Sequence, residues 1–200
     1  MRLFFAVLLP EDVLAVLQRS QDELRHTICA GGISWVRPHQ FHYTLKFLGD
    51  TTPARARVAV EAAEAIQEKL APFQVTLGGL GAFPNAERPS VLWVGASAGG
   101  PRLSHVAYLL DEQLGRVGFS KEKRPFTAHL TVARIKTYEG EAAAARLLRT
   151  ARWGDLAAAR IDRFVLMRST LRPTGAEYTV VDEFLFQGEG SDREDDPHGA

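Results

Sequence analysis

At 200 residues, 46% of them apolar and 24% charged, the chain has ample length for a buried core and the composition of an ordinary globular protein. Its 24 Lys and Arg match its 24 Asp and Glu, so the overall basic surplus of a protein that coats polyanions is absent. A lone cysteine, Cys29, excludes an intramolecular disulfide and a Cys-based zinc cluster, and it fits a reducing, cytoplasmic location. Residues 188–200 hold five carboxylates against Arg193 alone, which leaves the body with a surplus of four positive charges. That surplus favours phosphate-bearing ligands without naming nucleic acid. The tail itself, rich in Gly and acids, is expected to be disordered.

Residues 3–9 are an apolar run of β-formers that Pro10-Glu11-Asp12 stops after seven residues, with no small-residue cleavage site. They are expected to form a strand and not a signal peptide or a membrane span. The acids then open a helix whose apolar side is Leu14, Val16, Leu17 and Leu24. After Gly31-Gly32 come a short strand at 33–36, Pro38, a strand at 41–48, an Ala-rich helix at 53–70 closed by Pro72, and a strand at 73–80. The second half follows the same order: strand 91–94, helix 101–117, strand 126–135, helix 141–152 and strand 161–170, with an extra strand at 178–186.

The third element of each half carries one pattern. His42-Tyr43-Thr44-Leu45 reappears 87 residues later as His129-Leu130-Thr131-Val132. In a strand, His and Thr two positions apart share a face while Tyr43, Leu45, Leu130 and Val132 take the other. With six His and twelve Thr in the chain, chance places Thr two after His about 0.4 times. Twice, at equivalent places in two similar halves, points to a duplicated unit. The expected architecture is α+β: two pseudo-symmetric lobes within residues 1–187, repeated at about 1–80 and 90–170, with mainly antiparallel sheets facing a central cleft and helices outside.

Two imidazoles facing each other across such a cleft can divide acid and base work near neutral pH. In-line displacement at phosphorus needs that division, since a base activates the attacking hydroxyl and an acid protonates the departing oxygen. A Thr hydroxyl on the same face can donate to a nonbridging phosphate oxygen. No metal is required, and two His on separate strands lack a local carboxylate or Cys partner for one.

With Arg2-Leu3-Phe4-Phe5-Ala6, the stretch from His42 to Gly49, Arg124-Pro125-Phe126 and the stretch from His129 to Arg134, the chain resembles the 2H phosphoesterases over residues 1 to about 186. Within them it is similar to the RNA 2′,3′-cyclic phosphodiesterases, historically called 2′-5′ RNA ligases. One departure is Ala128, where family members often carry Pro. The resemblance implies metal- and cofactor-free hydrolysis of 2′,3′-cyclic phosphate ends to 2′-phosphates, with 2′-5′ joining as the reverse reaction. It implies His42 as proton donor, His129 as proton acceptor, Thr44, Thr131 and Arg134 as phosphate-binding groups, and Phe5 as a nucleotide-stacking platform. The implied partners are RNA termini or small cyclic nucleotides, met by a monomer away from membranes. Strict alternation sets Arg134 opposite His129, so its role requires a bulge, a twist or the strand's end. Trp35, Arg37 and Lys46 are further candidates for the cleft wall.

Two other readings compete. Gly95-Ala96-Ser97-Ala98-Gly99 fits the Gly-x-Ser-x-Gly elbow of serine esterases, between a strand and a helix as that motif demands, with Asp111 or Asp162 and then His198 as partners. The same small residues suit any tight strand-to-helix turn, with Pro101 in the first helical turn. A noncatalytic RNA-end binder on the same lobes would have no need of both His.

Overall fold

A computed structural model describes residues 1–151, 153–173 and 175–188. The chain runs β1 (Arg2–Leu8), α1 (Glu11–Thr27), β2 (Ile33–Trp35), β3 (His42–Asp50), α2 (Pro53–Glu64), β4 (Phe73–Phe83), β5 (Val91–Ala98), α3 (Gly100–Arg116), β6 (Leu130–Ile135), α4 (Tyr138–Thr150), β7 (Asp155–Ile161), β8 (Arg163–Arg172) and β9 (Gly175–Leu185). The α+β class holds. Except for Gly188, whose amide donates to the Leu70 carbonyl at 2.8 Å, the expected acidic tail lies outside the described residues.

Local chemistry sets the helix ends. Thr52 accepts from the Arg55 amide and is followed by Pro53, whose missing N–H is no loss at a first turn. Thr137 likewise accepts from the Gly140 amide at α4. The apolar run expected to carry α2 to residue 70 stops at Glu64 and is followed by a 3-10 turn at Gln67–Lys69. β7, an Ala-rich edge strand, had no place in the expected order.

The strands form one sheet in the order β7-β4-β5-β6-β3-β1-β8-β9, with β2 also paired to β6, and every pairing is antiparallel. The two expected sheets are halves of this one, joined between Tyr43 of β3 and Leu130 of β6. Outward from that bridge the order is symmetric, since β6 answers β3, β5 answers β1 and β4 answers β8. Each half of the sequence therefore sends its last strand into the other half of the sheet: β4 pairs with β5, and β8 with β1.

All four helices bury their apolar residues on one face of the sheet. Val13, Leu17 and Leu24 of α1, Ala59 and Ala63 of α2, Leu103, Leu110 and Leu114 of α3 and Ala144 of α4 join Phe5, Tyr43, Leu45, Leu130 and Val132 in a continuous core. Burying each large side chain contributes about 1.5–3 kcal/mol. The opposite face carries a smaller cluster of Phe4, Ala6, Val165 and Met167 beside Tyr178, and among the described residues no helix covers it. Among the described residues no helix is long and apolar enough to cross a membrane.

Candidate active site in the sheet cleft

The uncovered face holds a cleft of about 790 Å³ to which both motifs contribute His42, Thr44, His129 and Thr131. Carrying the antiparallel Tyr43–Leu130 register one residue either way sets His42 beside Thr131 and Thr44 beside His129. Each histidine thus has the other motif's threonine as its cross-strand neighbour.

Two bulges decide what else reaches the cleft. Between Phe5 and Ala6 the β1–β3 register slips, so that Ala6 faces Thr44 but Phe5 faces Lys46, and Leu45 is the extra residue. Between Leu92 and Trp93 the β5–β6 register slips in the same way, with Trp93 opposite Thr131, Leu92 opposite Ala133 and Val132 extra. Past each bulge the alternation changes phase. The residue five after each histidine, Phe47 in one motif and Arg134 in the other, therefore joins the cleft. The required bulge under Arg134 is present.

The same phase change removes Lys46 from the cleft. Its ammonium is 3% exposed and bonded at 2.7 Å to Asp111 of α3, on the helical side of the sheet. Trp35 and Arg37 do line the cleft. Phe5 does not: it is fully buried on the helical face, against Phe164 and Phe184 at 5.8 Å, so it has no ring face to offer a base. Its neighbour Phe4 points the other way and lines the cleft.

Each histidine sits among aromatic rings that the motif pattern did not reveal. His42 lies 5.1 Å from Phe4 and 5.3 Å from Tyr178, centroid to centroid, and His129 lies 4.9 Å from Phe83 and 6.4 Å from Trp93. The seat for Trp93 depends on Gly81, where a Cβ would stand 2.2 Å from the indole. Alternation along β1, which opposes Phe4 and Ala6 to Leu3, Phe5 and Val7, was the signal available for Phe4. Tyr178, Phe83 and Trp93 come from strands whose neighbours the sequence does not specify.

The backbone fixes both imidazoles alike. His42 Nδ1 lies 2.7 Å from the Gln40 carbonyl, and His129 Nδ1 lies 2.7 Å from the Thr127 carbonyl. A carbonyl only accepts, so Nδ1 carries the proton and Nε2 is left free for chemistry. Burial is the main cause that lowers both pKa values below the ordinary imidazole range, partly opposed by these backbone hydrogen bonds. The Arg134 guanidinium lowers both further, and His129 also lowers His42. Among the described residues, those lining the cleft include Arg2, Arg37 and Arg134 and no carboxylate, a field suited to an anionic phosphate.

The Gly-x-Ser-x-Gly stretch has a structural explanation. Ser97 is exposed at the end of β5 and donates to the Thr76 carbonyl. Asp111 is engaged by Lys46 and Asp162 by Arg163, while His198 lies outside the described residues. Gly99 starts α3 at φ 75°, and a Cβ there would stand 2.2 Å from the Gln74 carbonyl oxygen. Gly99→Ala is therefore expected to destabilise the fold by roughly 3 kcal/mol, from strain and clash together. Ser97→Ala should leave phosphodiester turnover unchanged. Urea unfolding and steady-state rates check the two, and a Ser97→Ala variant stripped of turnover would restore the elbow reading.

The LigT-like phosphoesterase family model matches the chain in two consecutive stretches, residues 7–93 and 94–178. A relative from Thermus thermophilus, named RNA 2′,3′-cyclic phosphodiesterase, is 37% identical over 199 residues, covering 94% of this chain and 92% of its own length. One of the same name from Aquifex aeolicus is 37% identical over 155 residues, 77% of this chain and 82% of its own. Among solved structures, TT0787 of Thermus thermophilus superposes with a TM-score of 0.78 at 31% identity, over 95% of this chain and 100% of that one. LigT of E. coli in complex with 3′-AMP shares the fold, with a TM-score of 0.73 at 22% identity over 92% and 97% of the two chains. This chain belongs to the LigT-like phosphoesterase family.

Proposed function

We propose that the protein hydrolyses RNA 2′,3′-cyclic phosphate ends to 2′-phosphates, with His129 as general base and His42 as general acid and without a metal. The carrying observation is the pair of histidines, each held through Nδ1 by a backbone carbonyl, in one cleft with Arg134. Relatives named for this activity, two of them 37% identical over most of the chain, support it.

The chemistry follows from the arrangement. Nε2 of neutral His129 takes a proton from water as the water oxygen attacks phosphorus. The bond from phosphorus to O3′ breaks on the opposite side, and protonated His42 gives O3′ its proton. The charge on the nonbridging oxygens is met by the hydroxyls of Thr44 and Thr131 and by the forked guanidinium of Arg134. Each histidine ends in the other's starting state, and solvent exchange resets the pair. With a 5′-hydroxyl in place of water as the attacking group and O3′ again leaving, the same two groups join a 2′-5′ bond. Phe4 and Tyr178 beside His42, with Phe47 on the same wall, offer ring faces to the terminal nucleoside in the place first given to Phe5.

The test is turnover of an oligoribonucleotide ending in a 2′,3′-cyclic phosphate in excess EDTA, with the product phosphate located. Conversion to a 2′-phosphate at an undiminished rate is the expected result. A 3′-phosphate product overturns the assignment of O3′ as leaving group, and dependence on added metal overturns the two-histidine mechanism. Retained RNA-end binding without turnover identifies a binding module.

A further inference from the structure

We propose that Gln21, on α1 and outside the cleft, is a positioning residue for Arg134: its side-chain amide holds the β6 bulge that turns the guanidinium toward the phosphate. The inference rests on the cyclic phosphodiesterase reading and adds a residue that no motif points to.

Gln21 is a polar side chain 5% exposed on the buried side of α1, among Val13, Leu17, Ser20 and Leu24. Its Nε2 donates two hydrogen bonds of 2.8 Å, one to the Val36 carbonyl and one to the Val132 carbonyl 111 residues away. Val132 is the extra residue of β6 and has no partner on β5. Its carbonyl also accepts from the Val36 amide at 3.0 Å, so one primary amide ties the bulge, the end of β2 and α1 at a single point. Two positions on, Arg134 lies opposite Val91 on β5 and Ser34 on β2, with its side chain on the cleft wall.

The energetics favour this role. A bulge leaves a strand with one residue too many, and the competing in-register pairing would return Arg134 to the helical face and Ala133 to the cleft. That alternative carries the Val132 carbonyl away and takes the acceptor from one buried Gln21 amide proton and from the Val36 amide, which a dry helix–sheet interface penalises. The amide therefore selects the bulged register, and through it the face on which Arg134 emerges.

Arg134 reports its own position, because its charge acts on both histidines. The other charged or titratable groups on the same cleft are Arg2, Arg37, Tyr178 and the two histidines themselves. The Gln21 side-chain amide is hydrogen-bonded to the Val36 and Val132 carbonyls and not to any of them. A variant that disturbs only packing leaves the histidine titration in place, whereas one that turns Arg134 away moves it upward, as direct loss of the guanidinium does.

The experiment compares wild type, Gln21→Met, Arg134→Met and the double variant by kcat/KM against pH on the cyclic-phosphate oligoribonucleotide, well below each unfolding midpoint. Gln21→Met should lose on the order of tenfold to a hundredfold, the scale of a misplaced catalytic group, and its pH profile should move toward the ordinary imidazole range in the direction Arg134→Met moves it. The double variant should be no slower than Arg134→Met alone. Gln21→Asn, which keeps the amide but shortens its reach, should move the profile the same way by less, and it replaces Gln21→Met if that variant does not fold. Losses that multiply in the double variant, or a lowered unfolding midpoint with the wild-type pH profile, overturn the inference. An inactive wild type instead overturns the functional reading beneath it, so the two failures are separable.

Discussion

Replacing His42 or His129 with Asn is expected to lower kcat for opening a 2′,3′-cyclic phosphate by about 10²–10⁴-fold, the usual worth of a positioned proton donor or acceptor. Asn is the informative substitution because it keeps a polar side chain of similar reach in a place bounded by Phe4 and Tyr178 or by Phe83 and Trp93, so that lost rate is not lost packing. The two changes act on one step and should not multiply: the double variant falls little below the slower single one. A single variant within tenfold of wild type sinks the mechanism.

The pH dependence makes the same claim with a sign. The proposed mechanism needs the base neutral and the acid protonated, so kcat/KM should rise with pH as the base loses its proton and fall as the acid loses its own. Both histidines titrate below the ordinary value of 6.5, chiefly through burial. The bell and its maximum therefore lie on the acid side of that value, with macroscopic limbs that belong to the coupled pair. His129→Asn removes the limb on which rate rises with pH, and His42→Asn removes the limb on which it falls. The converse pattern reverses the assignment of acid and base and leaves the two-histidine chemistry intact.

Much of this cleft was legible because a strand has period two, and four motif residues at i and i+2 must share a face wherever the strands lie. The bulges were not legible. An extra residue such as Leu45 or Val132 looks like any other strand former, yet it inverts the alternation after it, so Lys46 fell to the helices and Phe47 and Arg134 to the cleft. Phe5 was misassigned for a related reason. Phe4 and Phe5 are equivalent in composition, and only the core formed with Phe164 and Phe184, from strands more than 150 residues away, decides which of the two is buried. The exchange of β4 and β8 between the halves escaped the sequence as well, because chain order ranks neighbours in time and hydrogen bonding ranks them in space. β7 was missed because Ala157-Ala158-Ala159 has little β propensity of its own and is held in place by pairing with β4.

Asp111→Ala should destabilise the protein by about 3–5 kcal/mol, the range for removing one partner of a buried ion pair. Lys46 is the reason. Bulging of β3 at Leu45 drives its ammonium, 3% exposed, into the sheet–α3 interface, where Asp111 lies at 2.7 Å and the Ser120 carbonyl at 2.6 Å. Glu122 also approaches at 3.1 Å but is 53% exposed. Solvent screens that contact, so Glu122→Ala should cost no more than about 1 kcal/mol. Without Asp111 the ammonium keeps one carbonyl and one screened carboxylate, and the Glu122 amide loses its acceptor too. In a chain of this size the loss lowers the unfolding midpoint by roughly 6–20 °C. The sign of the double variant separates a charge effect from a packing effect. Lys46→Met with Asp111→Leu removes both charges and refills the space, so it should regain most of the stability, as buried pairs replaced by apolar side chains do. If Asp111→Ala costs no more than Glu122→Ala in urea unfolding, the ammonium is solvated in solution and the buried pair does not hold the β3 bulge to α3.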